Sequence, residues 1–220
     1  MNAFVQPQST GPLEETRPGR FVILRTAKLT CELGEFPCML RDISQEGLQV
    51  RLYSSLPENV REYTLEFGTG DAYSVRLVWQ NDGSAGLQFN DMNDIAVLLG
   101  EKGPFRKRPI RLSVELPATF RALGNMADAV IHDISQEGAR IETGHQLALD
   151  QQIRLSVPTL GEVYAKVRWR RHPSYGLAFL QTFRFDEMAQ AAADLLAISR
   201  DRHDGGAAHT TIQRSAGTTG

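Results

Sequence analysis

The hexapeptide Asp-Ile-Ser-Gln-Glu-Gly stands at residues 42–47 and again at 133–138. A string of such mixed chemistry recurs in a short chain when the chain is built twice from one plan. The shift of 91 positions that lays Asp133 on Asp42 also lays "RPIR" (108–111) on "RPGR" (17–20). Downstream, Trp169 in "AKVRWR" matches Trp79 in "VRLVWQ", and "YGLAF" (175–179) matches "AGLQF" (85–89), now at a shift of 90. One residue has been gained or lost between the two halves. Each copy fills about 80 to 90 residues, so the 220-residue chain reads as two small domains in tandem.

Within each copy the apolar period is two. "LQVRLY" (48–53), "EYTLEF" (62–67), "YSVRLVW" (73–79), "ARIET" (139–143), "IRLSV" (153–157) and "VYAKVRW" (163–169) alternate apolar with polar residues, with Gly, Asn, Asp or Pro between them. Such segments are half-buried antiparallel strands. Several of them in some 80 residues without a long intervening helix predict a small closed barrel, since closure removes exposed edges. The expected architecture is all-β: two tandem antiparallel barrels, each followed by a short helix, the C-terminal one longer. Trp79, Trp169, Phe89 and Phe179 are expected in the cores.

The expected organisation is an unstructured start over 1–14, a first domain over 15–100, a second domain with its helix over 101–200, and an unstructured tail over 201–220. The inter-domain break is "GEKGP", near 100–104. In the helix expected over 184–200, Met188, Ala192, Leu195, Leu196 and Ile198 gather on one side, to pack on a barrel or on the neighbouring domain. Cys31 and Cys38 flank a hairpin turn, "ELGEF", and are expected to remain reduced structural thiols.

Composition is that of an ordinary globular protein: 41% hydrophobic, 23% charged, with a formal net charge of −2. No global charge excess points to nucleic acid or a membrane surface. No apolar run approaches the roughly 20 residues of a spanning helix, and the N-terminus has neither a basic start nor an apolar core. A cytoplasmic location without membrane insertion is expected. No phosphate loop, dinucleotide fingerprint or zinc-protease motif is present. Asp, Ser and His occur together in "IHDISQEG", but the first copy has Arg41 where the second has His132, so a nucleophilic triad is not expected. The chain is read as a non-enzyme without cofactor or metal.

An arginine-rich segment ahead of the first strand, a D-x-S-x-x-G motif at a strand end, a Trp strand and a Gly-Leu-x-Phe strand together resemble the PilZ domain, the bacterial receptor module for cyclic di-GMP. Both copies carry the motif: Asp42, Ser44 and Gly47 in the first, and Asp133, Ser135 and Gly138 in the second. The arginine half departs from the family's R-x-x-x-R. With Arg20 and Arg111 taken as its second arginine, Thr16 and Lys107 occupy the first position, and R-x-x-R stands instead.

The resemblance implies a guanine pocket with two walls. Arginine offers a planar fork to phosphate or to guanine O6 and N7. Aspartate accepts from the guanine N–H edge, serine bonds base or backbone, and glycine admits close approach. The same hexapeptide also suits a tight turn, in which Asp and Ser bond local N–H groups. The second copy is the favoured binder, through Arg106, Lys107, Arg108, Arg111, Asp133, Ser135 and Gly138. "FRKRPIR" there is free of acid, whereas Glu14 and Glu15 dilute the charge of Arg17 and Arg20. The first copy, with Arg17, Arg20, Asp42, Ser44 and Gly47, ranks below it.

The function so implied is a cyclic di-GMP receptor whose ligand, held mainly by the second domain and the linker before it, reorients the domains toward an effector protein. The alternative is a tandem adaptor that binds no nucleotide. A third class, a nucleic-acid-binding barrel, lacks aromatics interleaved with the basic segment apart from Phe105.

Overall fold

The computed structural model describes residues 20–91, 108–157 and 159–194. Twelve strands form two closed antiparallel barrels. The first contains β1 (Phe21–Cys31), β2 (Gly34–Ile43), β3 (Gly47–Leu52), β4 (Glu62–Phe67), β5 (Ala72–Asn81) and β6 (Ser84–Phe89). The second contains β7 (Leu112–Ala122), β8 (Asn125–Ser135), β9 (Gly138–Glu142), β10 (Gln152–Val157), β11 (Gly161–Arg171) and β12 (Ser174–Phe179). Around the first barrel the order is β1-β2-β3-β6-β5-β4, and the second repeats it. The pairs β1–β4 and β7–β10 close the two rings.

Period-two patterning explains why these strands form. Tyr63, Leu65 and Phe67 of β4 point inward and are buried, as are Ile153, Leu155 and Val157 of β10, while their neighbours face out. Tight connections follow from local chemistry. Asp82-Gly83 and Leu123-Gly124 adopt positive φ at both central positions, the two-residue geometry whose twist matches that of the flanking strands. Strand pairings place the one-residue difference between the repeats in the connection from β3 to β4, because Gln49 and Arg140 still correspond at a shift of 91 while Thr64 and Arg154 correspond at 90.

Three irregularities recur at matching places in both barrels. Register slips between Val22 and Arg25, Leu40 and Asp42, and Leu77 and Trp79 in the first; it slips between Ser113 and Leu116, Ile131 and Asp133, and Val167 and Trp169 in the second. These bulges correct one expectation. Strict alternation sends Trp79 inward with Leu77, but Val78 is the extra residue of the slip, and the next side chain is turned out. Trp79 and Trp169 are 43% and 45% exposed, so neither is a core residue. Each indole instead lies flat on a bare glycine: a Cβ added at Gly86 or Gly176 would fall 2.0 or 1.9 Å from the indole nitrogen. Phe89 is in the core as expected, and Phe179 is partly buried against it.

After β12 a helix, α1, begins at 185 and is described as far as 194. Its first turn is capped by Glu187, whose Oε2 accepts from the Arg184 N–H at 3.0 Å. Phe185, Met188, Ala189 and Ala192 join one apolar cluster that includes the buried residues of both barrels. Phe185 meets Tyr53 of the first barrel edge to face, with centroids 5.7 Å apart. Gln136 of the second barrel exchanges hydrogen bonds with the Phe183 main chain just ahead of the helix. The helix therefore touches both barrels. Leu195, Leu196, Ile198, the helix expected after the first barrel, and both terminal segments lie outside the described residues.

The hairpin predicted around "ELGEF" is present, with Cys31 opposite Gly34 and Cys38 opposite Ala27. The two cysteines do not face each other and both are free thiols.

Candidate functional site

The hexapeptide ends one strand and starts the next. In the second barrel Asp133, Ile134 and Ser135 close β8, Gln136 and Glu137 turn, and Gly138 opens β9. The bulge at His132 decides where each side chain points. Ile131 and Ile134, three apart, are both buried, while Asp133 is displaced to the outer face. Ser135 is 2% exposed; its Oγ donates to the Gly138 carbonyl at 3.2 Å and accepts from the Glu137 N–H at 3.4 Å. The missing side chain of Gly138 faces β12, where a Cβ would lie 2.1 Å from the Leu177 carbonyl oxygen. Ser44 Oγ likewise donates to the Gly47 carbonyl, at 3.1 Å, but accepts from the Gly47 N–H, at 3.3 Å, and Gly47 is set against the Leu87 carbonyl. Serine and glycine thus shape the turn, and aspartate is the member of the motif that presents its polar group outward.

The structure brings Arg111 onto Asp133. An Arg111 Nη donates to Asp133 Oδ1, and Arg140 Nε donates to Oδ2 at 2.7 Å. Both carboxylate oxygens are engaged, one by each guanidinium, as suits charge-assisted pairs. Arg108 is exposed, and Arg106 and Lys107 lie outside the described residues.

In the first barrel Arg20 Nε lies 3.2 Å from Asp42 Oδ1. That contact is not aligned as a hydrogen bond, and the buried Oδ1 has no hydrogen-bond partner among the described residues. Arg17 lies outside the described residues.

The alternating pattern of "ARIET" marks Arg140 only as a strand residue. The signal was available: a two-residue turn pairs Ser135 with Gly138, Ile134 with Ala139, and hence Asp133 with Arg140. The corresponding partner of Asp42 is Gln49.

Arg140 also lines a cleft of about 530 Å³ with Trp169, Arg170, Arg171 and Ser174. Trp169 rests one face on Gly176 and is half exposed. At the matching positions the first barrel has Gln49, Trp79, Gln80, Asn81 and Ser84. It keeps the indole and the serine but none of the three cations, and Gln80 is spent on a main-chain bond from the Leu56 N–H at 2.7 Å. The second barrel therefore presents a carboxylate, four guanidinium groups and an aromatic face on one outer surface. Such a set takes a planar, hydrogen-bonding, anionic molecule. Among the described residues no group of His, Cys, Asp and Glu has the arrangement of a metal site.

The family model described as "PilZ domain" matches residues 14–99 and 105–196. The chain belongs to the PilZ domain family. It carries two copies of the domain, one to each barrel, and these matches span most of the sequence. A comparison with curated proteins finds no match.

Among solved structures the chain resembles PlzA of Borreliella burgdorferi in complex with c-di-GMP, at 13% identity over 78% of this chain and 88% of that one, with a TM-score of 0.33. It resembles YcgR of Escherichia coli in complex with c-di-GMP, at 14% identity over 83% and 87%, with a TM-score of 0.32. It also resembles the Bacillus subtilis inhibitor of motility MotI/DgrA, at 15% identity over 83% and 96%, with a TM-score of 0.35. These likenesses are distant, and membership of the PilZ family rests on the sequence model. Among the described residues no helix is long and apolar enough to cross a membrane.

Proposed function

We propose that this tandem PilZ protein is a receptor for cyclic di-GMP, that the ligand is held by the second barrel, and that its binding changes the relation of the two barrels toward an effector protein. The observation that carries this reading is the meeting of Arg111, Asp133 and Arg140 beside Trp169. Cyclic di-GMP offers two guanine edges and two phosphodiester anions in a compact ring. Asp133 accepts from the N1–H and N2–H of one guanine. Arg111 and Arg140, relieved of part of their hold on the carboxylate, turn their forks to phosphate or to O6 and N7. The open face of Trp169 stacks a base, and Arg170 and Arg171 add positive potential at the rim. Ser135 and Gly138 hold the turn that projects Asp133. Membership of the PilZ family supports the ligand class, and both PlzA and YcgR were solved with c-di-GMP.

One observation favours a second reading, in which the chain is an adaptor without nucleotide: Asp133 already has a guanidinium on each oxygen, so the site is satisfied by its own side chains. Calorimetric titration with cyclic di-GMP, and in parallel with GTP, cyclic AMP and a short single-stranded DNA, separates these readings. Heat with cyclic di-GMP alone is expected, and heat with none selects the adaptor. Arg111→Ala is expected to weaken binding by about 2 kcal/mol or more, and Arg20→Ala to do much less. Equal losses at the two arginines overturn the assignment of the site to the second barrel.

A further inference from the structure

Charge is buried where the first barrel meets the chain entering the second. Lys28 of β1 is 7% exposed. Its Nζ donates to Glu35 Oε1 at 2.8 Å and to the Arg111 carbonyl at 3.1 Å, and Glu66 Oε2 lies 3.5 Å away. Glu35 Oε2 accepts from the Ser113 N–H at 2.7 Å, and its Oε1 accepts from the Ser113 hydroxyl at 3.2 Å. Nearby, Gly68 faces the Arg108 carbonyl so closely that a Cβ would lie 1.9 Å from that oxygen. The first barrel thus holds the main chain at 108, 111 and 113, on both sides of the residue whose guanidinium reaches Asp133.

The repeat itself does not require this arrangement. The positions matching Lys28, Glu35 and Glu66 in the second barrel are Thr119, Met126 and Ser156, none of them charged. Both barrels close with the same strand order, so neither ring needs an ammonium in its wall. A buried ammonium is unfavourable unless it is fully paired. Here it is paired, and two of the groups that complete the network belong to the main chain of Arg111 and to Ser113.

We propose that Lys28 and Glu35 are positioning residues for ligand binding at the second barrel: they fix the backbone from which Arg111 extends. The inference rests on the reading of Arg111 and Asp133 as a ligand site. A side chain leaving a fixed backbone has less freedom to lose when it closes on a ligand, so its contact is stronger. By linkage, ligand held through Arg111 tightens the grip of the first barrel on the entering chain to the same degree.

The test is calorimetric titration of the full chain with cyclic di-GMP, for the wild type and for Glu35→Ala, Lys28→Met and Gly68→Ala, each alone and combined with Arg111→Ala. Circular dichroism checks that each variant is folded. Each single substitution is expected to weaken binding about tenfold, a coupling of ordinary size, and to add less than about twofold once Arg111 is alanine, because its effect runs through that side chain. Wild-type affinity in the folded single variants overturns the inference alone. So does an equal loss with and without Arg111, which marks a general structural effect. Absence of heat with the wild type overturns the ligand reading and the inference together. Should Lys28→Met fail to fold, Gly68→Ala carries the same test, since it adds one methyl beside Arg108 and removes no core side chain.

Discussion

Where the second barrel gives Asp133 two guanidinium groups, the first gives Asp42 one at 3.2 Å, unaligned, and a glutamine. Behind these surfaces the barrels agree closely: the same strand order, the same three bulges, the same Ser–Gly turn and the same indole lying on glycine. What was kept after duplication is what closes a ring of six strands. Core side chains differ too, as where the buried Ala85 matches the buried Tyr175, but the difference in charge faces outward. At 49, 80 and 81 the first barrel has Gln, Gln and Asn, where at 140, 170 and 171 the second has arginines. On another outer face, the first barrel has the Lys28–Glu35 pair where the second has Thr119 and Met126. One copy carries the arginines on its outer surface, and the other holds its neighbour's leading segment.

The contrast is most exposed at the aspartates. Asp133→Ala is expected to weaken cyclic di-GMP binding by about 3 kcal/mol or more, because it leaves Arg111 and Arg140 side by side without their counter-charge. Asp42→Ala is expected to stay within about 0.5 kcal/mol of wild type, as for a site that takes no part. Calorimetry checks both, and a loss at Asp42 equal to that at Asp133 breaks the comparison.

The glycines of the turn test the opposite claim, that the motif is shared for folding. Gly47→Ala and Gly138→Ala each drive a Cβ into a neighbouring carbonyl and are expected to destabilise the protein by about 2 kcal/mol, and by similar amounts, in urea unfolding followed by circular dichroism. A Gly138→Ala protein of unchanged stability that has lost its ligand would instead assign that glycine to contact with the nucleotide.

Arg140→Gln installs the first barrel's residue in the second. It is expected to lower affinity by about 1.5 kcal/mol, the worth of a hydrogen bond to a charged group, and to flatten the fall of affinity with ionic strength. Titration at two salt concentrations reads both effects.

The smallest effect concerns the thiols, which are confined to the first barrel. Cys38 is fully buried, and desolvation pushes its thiol far above the usual range, so the thiolate that alkylation needs is withheld even in mild alkali. Maleimide labelling read by mass spectrometry is expected to mark Cys31 in the native protein and Cys38 only after denaturation. Native labelling of Cys38 would show that the wall around it opens.

Much of this was legible in the residues. A repeated hexapeptide, a repeated arginine segment and period-two runs were enough for two antiparallel barrels, and the resemblance to the PilZ pattern was enough to suggest that Arg111 and Asp133 meet. The bulges were not legible, because inserting one residue in a strand changes no composition and leaves the flanking pattern intact. They turned Trp79 and Trp169 outward against the simplest reading of "LVW" and "VRW". Arg140 was missed for a related reason: a polar residue in an alternating strand looks like ordinary solvent-facing filler until the hairpin register sets it opposite Asp133. Lys28 and Glu35 gave no sign at all. Their partners lie 83 and 78 positions away on the chain, and local pattern cannot foresee a lysine buried by another domain's backbone.

The chain contains two tryptophans, one in each barrel, each with one face on glycine and the other open to solvent. Evolution has in effect built a matched pair of fluorophores into the molecule, one beside the arginine-lined surface and one beside its neutral twin. With Trp79 replaced by phenylalanine, emission from the remaining indole becomes a dye-free optical readout of the second half alone. The reciprocal replacement supplies the blank.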